Sequence, residues 1–353
     1  MKKNILKYVI FVIMLSIVVS GCSVKVNEST ENKTDQDLKI SKNSFSLNTF
    51  NTITLYGTDD DSYFESIYGE VTRLENKLSV HISGSEVAMI CDNAGLRPVK
   101  VSQETFEVIE KSIEYAVLSE GLFDITIEPL VSLWSIGTDN FRLPEQSEIN
   151  DAMELIDFKK IVLDDENSTV YLTEKNMSID LGAIAKGYIA DKVAKKIIEL
   201  GLDSAIINFG GNVVLLGEKP DGSAFQVGIQ EPDETRGGIV GTVTARNISL
   251  VTSGDYERYS VQDNTRYHHI LDPFTGYPTD NNIKAVSIIA NQSFDADALS
   301  TTVLLQGLEK GLAMIESLEG VEAIFITKEH EIYLSEGIKD IFKLTSGEYI
   351  IME

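Results

Sequence analysis

Apolar residues along this chain follow two rhythms, alternation and helical recurrence, with glycines and short polar runs between them. Ser46–Tyr56 alternates and is rich in Thr and Ile, which predicts a first strand. Asp59–Ser62 then sets acids ahead of a helical stretch, Tyr63–Leu78, the sign of charge that a helix start favours. Ser79–Asn93 reads as loop. Ser102 stands as the cap of a second helix, with Phe106, Ile109, Ile113 and Val117 on one stripe and Gly121 as its stop. A short helix near Glu145–Ile156 precedes strands around Ile161–Leu163, Thr169–Leu172 and Met177–Leu181. Ile184, Tyr188, Ile189, Val193, Ile197 and Ile198 recur at helical spacing up to Gly201, so an apolar strand, a Gly/Ala turn and a helix follow one another without a break.

Beyond that helix, Ser204–Asn208 is a short strand ending in Asn208-Phe209-Gly210-Gly211-Asn212, where paired glycines permit positive φ or close backbone approach. Strands are expected at Val213–Leu216, Phe225–Ile229, Ile239–Ala245, Ile248–Thr252 and Lys284–Ala290. Tyr256–Val261 and Arg266–Leu271 bracket Asp263-Asn264 as a hairpin. A helix over Asp295–Leu308 and a hairpin of Ala323–Thr327 with Glu331–Leu334 complete the pattern. Strands and helices mix without βαβ alternation and without an internal repeat. The expected class is α+β, with mixed or antiparallel sheets and packed helices.

The N-terminus stands apart. Lys2, Lys3 and Lys7 precede an apolar run, Tyr8–Val19, too short for a comfortable membrane span. Val19-Ser20-Gly21-Cys22 resembles a bacterial lipobox, in which Cys22 is lipidated and begins the mature chain. Residues 1–21 are therefore expected to be a lipoprotein signal peptide and 22–44 a polar tether, with the folded domain spanning 45–353. That places the domain outside the cytoplasm, anchored to the cell membrane. With Cys22 committed, Cys91 alone remains, so no disulfide forms within the domain and a cysteine-ligated metal is excluded.

Charge narrows the partners. The net charge is −25, and −28 once the three lysines of residues 1–21 are discounted. No basic stripe is available for nucleic acid, so none is expected as a partner. An anionic ligand would need a cation to offset the repulsion, and a divalent metal is the economical answer.

Three constellations offer chemistry. The turn Asp180–Gly187 leads into a helix start, whose unpaired N–H groups favour an anion; an ordinary strand-to-helix connection has the same look. Asp297 and Thr301 share one helix face at i and i+4, with Ser300 between them. Their oxygens suit a hard cation such as Mg²⁺, and equally suit helix capping. His268-His269 ends a strand before Asp272-Pro273, where a histidine can serve as a general base or sit on the surface. Thr252-Ser253-Gly254-Asp255-Tyr256 is a strand followed by a polar turn.

Taken together, these segments resemble the ApbE family, the FAD:protein FMN transferases. The matching pieces run in order: Phe123-Asp124-Ile125-Thr126 with Pro129-Leu130-Val131 and Leu133-Trp134; Ile179–Tyr188; Asn208–Asn212; Thr252–Tyr256; His269–Pro273 with Thr275-Gly276; and Asp297–Thr301. The resemblance implies an enzyme that moves FMN from FAD onto a Thr or Ser hydroxyl of an acceptor protein and releases AMP, with Mg²⁺. It implies Mg²⁺ ligands at Ala183 (through its carbonyl), Asp297, Thr301 and, more weakly, Ser300, where some members carry a second Asp. It implies flavin-nucleotide contacts at Phe50, His81, Phe123, Asp124, Asp180, Lys186 and Leu271. His269 is the expected general base, with Asp255 as the second candidate. The acceptor would be an exported or membrane electron-transfer protein. With water as acceptor, the same residues describe a Mg²⁺-dependent FAD pyrophosphatase; a flavin-binding lipoprotein without turnover is the alternative of another class.

Overall fold

The computed structural model describes residues 38–232 and 237–352. The expected signal peptide, Cys22 and the expected tether as far as residue 37 lie outside the described residues. Nine strands form one sheet whose spatial order follows chain order: Lys39–Ser46, Thr49–Tyr56, Ala205–Phe209, Asn212–Leu216, Ile248–Gly254, Ile283–Ala290, Glu322–Thr327, Glu331–Leu334 and Ile350–Ile351. Neighbours are antiparallel until the last pair, which is parallel. The sheet is thus a meander with helices and smaller sheets inserted into its connections, the α+β arrangement expected.

The central strands read as unbroken apolar runs because both faces are covered. Val286, Ile288, Ala323 and Phe325 join the helix-side core. Ala285, Ile289, Ile324 and Ile326 alternate with them and meet a three-stranded sheet of Phe225–Gln230, Ile239–Ala245 and Phe342–Leu344. On the helix side, Tyr63–Leu78 buries Phe64, Ile67, Val71, Leu74 and Leu78, and Ala185–Glu199 buries Tyr188, Ile189, Val193 and Ile197. Ser293–Gln306 is buried almost all round, which places it at the centre of this layer. Each such side chain withdrawn from water contributes about 1.5–3 kcal/mol of transfer free energy.

Several expectations need correcting. Residues 39–44, assigned to the tether, are the edge strand Lys39–Ser46; its polarity is that of an edge with one face in water. Residues Glu86–Asp92, expected as loop, form a helix capped by Ser85, whose hydroxyl accepts the Ala88 N–H at 2.9 Å. Ser102 does not cap its helix; its hydroxyl donates to Glu86 instead. The buried stripe of that helix runs through Phe106, Ile109 and Ala116, leaving Val117 63% exposed. Met177–Leu181 alternates as a strand should, with Met177, Ile179 and Leu181 buried, yet joins no ladder. Its hydrogen bonds go elsewhere, the Asp180 N–H to the Ile125 carbonyl at 2.8 Å and the Ile179 N–H to Cys91 Sγ. The Asp295–Leu308 helix ends at Gln306, and a further helix, Leu308–Glu316, follows Gly307. Among the described residues no helix is long and apolar enough to cross a membrane.

Candidate active site

Two helices meet at their N-terminal turns, and neither carries a side-chain cap of its own at Ile184 or Gln292. Instead the Gly187 N–H donates to Asp297 Oδ2 at 2.8 Å. Gly187 is the third residue of its helix, so its amide is one of the donors that a helix start leaves without an intrahelical partner. The Ala183 carbonyl, just ahead of that helix, accepts no backbone hydrogen bond from the described residues. The approach depends on Gly187: a Cβ there would lie 2.1 Å from the Ser293 carbonyl oxygen and 2.7 Å from Asp297 Cβ.

Asp297 is buried, and its second oxygen lies 3.6 Å from Lys186 Nζ, which also donates to the Gly182 carbonyl at 3.2 Å. Thr301, one turn on, faces the same space. A carbonyl, a carboxylate and a hydroxyl are the mixed oxygen set a hard divalent cation takes while keeping waters. Among the described residues no three His, Cys, Asp or Glu side chains cluster.

These donors open into a cleft of about 1370 Å³. Its lining includes the strand ends and glycine turn near Asn208 and Gly211, and His269. The two adjacent histidines differ in role. His268 is buried, with Nε2 against the Thr279 carbonyl at 2.9 Å and Nδ1 accepting the Ile270 N–H, so both ring nitrogens are used in structure. His269 places Nδ1 3.1 Å from the Arg258 carbonyl. A carbonyl only accepts, so Nδ1 carries the hydrogen and Nε2 keeps its lone pair. Burial, and then the Arg258 charge, hold the His269 pKa below the ordinary imidazole value, although part of its surface faces the cleft. The ring is therefore neutral at pH 7.

Of the other expected residues, Phe50, His81, Phe123, Asp124, Asp180 and Leu271 also line the cleft. Phe50 is 52% exposed at its mouth, paired across the hairpin with Phe45. Asp180 Oδ1 accepts the Gly182 N–H at 2.7 Å and so shapes the turn that presents Ala183. Both Asp124 oxygens are occupied, by Thr126 (N–H and hydroxyl) and by the Phe158 N–H at 2.9 Å. Burial raises its pKa against those bonds, and its work is to hold the loop. Leu271 belongs to a small core with Trp134, whose indole N–H donates to the Gly276 carbonyl at 2.8 Å.

Two expected residues are not in the lining. Ser300 is fully buried on the strand side of its helix; its hydroxyl donates to the Asp297 carbonyl and meets Ser253 Oγ at 2.8 Å. It is spoken for and cannot face a cation with Asp297 and Thr301. Asp255 follows the end of its strand, with its N–H on the Lys284 carbonyl. Its side chain is half-buried outside the cleft lining, and burial raises its pKa against the charge of nearby Lys284.

Comparison with known proteins follows this geometry. Residues 47–325 match the model of the ApbE family. The chain belongs to the ApbE family. A FAD:protein FMN transferase of Klebsiella pneumoniae is 37% identical over 293 residues, 83% of this chain and 91% of that protein. One of Treponema pallidum is 34% identical over 300 residues, 81% and 83% of the two chains. The crystal structure of the ApbE protein from Thermotoga maritima superposes with a TM-score of 0.79 at 30% identity, covering 86% of this chain and 99% of that one. The flavin transferase ApbE from Vibrio cholerae gives 0.78 at 25% identity.

In this ApbE-family chain two cations of the cleft had no place among the residues expected from sequence. Arg258 and Arg266 line the cleft, and Arg266 lies over the Tyr259 ring at 4.3 Å. The signal was present in Tyr256-Glu257-Arg258-Tyr259, where charge sits on a hairpin otherwise built for strands. With Lys186, these groups bring three cations into a lining that also carries Glu75, Asp124, Asp180, Glu257 and Asp297.

Proposed function

We propose that this chain transfers FMN from FAD to a Thr or Ser hydroxyl of an acceptor protein and releases AMP. In this reading Mg²⁺ is held by the Ala183 carbonyl, Asp297 and Thr301, and the enzyme works at the outer face of the membrane, anchored through Cys22. The observation that carries it is the Ala183 carbonyl, without a backbone hydrogen bond from the described residues, lining one cleft with Asp297, Thr301 and the free Nε2 of His269. The relatives that match over most of the chain bear the name of this activity.

The residues divide the work. Lys186, Arg258 and Arg266 offset the charge of the pyrophosphate, and Phe50 and His81 offer ring faces at the mouth. His269 Nε2 accepts the proton of the acceptor hydroxyl as that oxygen bonds to the FMN phosphorus. The bond from that phosphorus to the bridging oxygen breaks, and AMP leaves with the oxygen. The cation, when bound, stabilises the charge gathered on the leaving phosphate. His269 gains basicity when the anionic substrate enters, since a neighbouring negative charge raises an imidazole pKa.

The test is incubation with FAD, Mg²⁺ and a purified acceptor domain carrying a threonine target, read by in-gel flavin fluorescence after denaturation. Fluorescence on the acceptor, absent with EDTA, is expected. Free FMN and AMP with an unlabelled acceptor would instead establish hydrolysis and overturn the transfer reading.

A further inference from the structure

The two helices that carry the cation donors are tied together a second time, away from the cleft. Asp191 lies on Ala185–Glu199 and is half-buried, outside the cleft lining. Its Oδ1 accepts the Ser293 N–H at 3.0 Å and its Oδ2 the Phe294 N–H at 2.9 Å. Those are the first two amides of Ser293–Gln306, the helix that receives no side-chain cap from Gln292. In return Asp297, on that helix, takes the Gly187 N–H of the first. Each helix start is therefore closed by a carboxylate from the other helix.

A cap supplied in this crossed fashion does more than satisfy amides. Ser293 lies one turn before Asp297 and two before Thr301, while Ala183 lies one turn before Gly187. Fixing both helix starts against each other fixes the axial register of the three donors. We propose that Asp191 is a positioning residue for the cation site, gripping the start of Ser293–Gln306 so that Asp297 and Thr301 stay in register with the Ala183 carbonyl. This rests on the reading of those three groups as cation donors. An ordinary cap on the same helix would satisfy the amides as well, at lower cost, since burial pushes the Asp191 carboxyl up to about 6. Only a residue on the other helix also sets the register.

The experiment uses the full chain and Mn²⁺ as the probe. Mn²⁺ binding is followed by electron paramagnetic resonance, metal-free FAD binding by flavin fluorescence, and folding by thermal unfolding. Asp191→Asn keeps one acceptor oxygen but turns an NH₂ toward the second amide. It is expected to weaken Mn²⁺ binding about 10-fold or more, the scale on which outer-sphere partners act, with metal-free FAD binding unchanged. Asp191→Ala with Gln292→Asp separates register from capping, because Asp at the cap position restores the amides' partner from the helix's own side. Recovered thermal stability with Mn²⁺ binding still weak supports the proposal. Recovery of both, or unchanged Mn²⁺ affinity in folded Asp191→Asn, overturns it. Asp297→Ala is the control for the underlying reading: if it binds Mn²⁺ as tightly as the unaltered chain, the donor assignment fails first.

Discussion

His268 and His269 are neighbours in sequence and opposites in chemistry. The backbone decides between them: the strand Thr265–His268 turns His268 into the core, and the next residue falls on the cleft side. His269→Ala should lower transfer by roughly 10²–10⁴-fold, the usual worth of a positioned base, while FAD binding persists. Measured transfer within a few-fold of the unaltered chain would remove His269 from the mechanism. The pH profile offers a second check. The working form is the neutral ring, and its pKa in the free protein is lowered below the ordinary 6.5. Activity is lost only as pH falls through that lowered value, so the acid limb of kcat/KM should lie below pH 6.5. A limb at or above 6.5 that disappears in His269→Gln would contradict the burial described here. The same scale shows what sequence leaves out. His269 was nameable from its motif, but Ser300 and Asp255 carry the right atoms and lie outside the cleft lining. Ser300 is taken by Ser253, 47 positions away, through the packing of helix on sheet, and the Asp255 backbone is held by Lys284, 29 positions away, at the end of a strand pair.

At the scale of elements, the turn before Ala185–Glu199 and the start of Ser293–Gln306 form one unit. The sequence showed each as a helix, the first with Gly201 as its stop, because helical spacing and a closing glycine are local signals. It did not show that they exchange caps, because a missing local cap looks the same whether the partner is water or another helix. Met177–Leu181 teaches the same lesson for strands: its alternation records burial correctly, and its ladder was never there. Gly187 is where the unit is most exposed to change. Gly187→Ala adds a methyl that meets backbone on one side and Asp297 on the other, so the helices must part. Overpacking of this kind costs about 1–3 kcal/mol, and here it also breaks the Asp297 bond and moves Asp297 away from the Ala183 turn. The expected outcome is a lower melting temperature together with loss of Mg²⁺-dependent transfer. An unchanged Mg²⁺ requirement in a folded Gly187→Ala protein would mean that Asp297 and the Ala183 carbonyl do not work as one donor set.

For the whole molecule, the meander order of the main sheet was open to inference from consecutive strand patterns, whereas its edges were not. Lys39–Ser46 shows only Ile40 and Phe45 as large apolar residues, too few to announce a strand. Yet it pairs with Thr49–Tyr56 along its whole length. It is also tied to the first helix through the Tyr68 hydroxyl on the Lys42 carbonyl at 2.7 Å and the Leu47 N–H on Glu75 at 2.7 Å. Lys39 and Lys42 guard it against pairing with other chains, a protection that Thr49–Tyr56 lacks. Two shortened chains test this edge. One beginning at Leu38 keeps the strand and should match the full chain in melting temperature and in transfer. One beginning at Ser46, close to the boundary that composition suggests, exposes an unguarded Thr- and Ile-rich edge and removes Phe45 from beside Phe50. It should melt lower, scatter light on standing and bind FAD more weakly. If both shortened chains melt alike and stay clear in solution, the edge strand is dispensable and the domain begins where composition alone would place it.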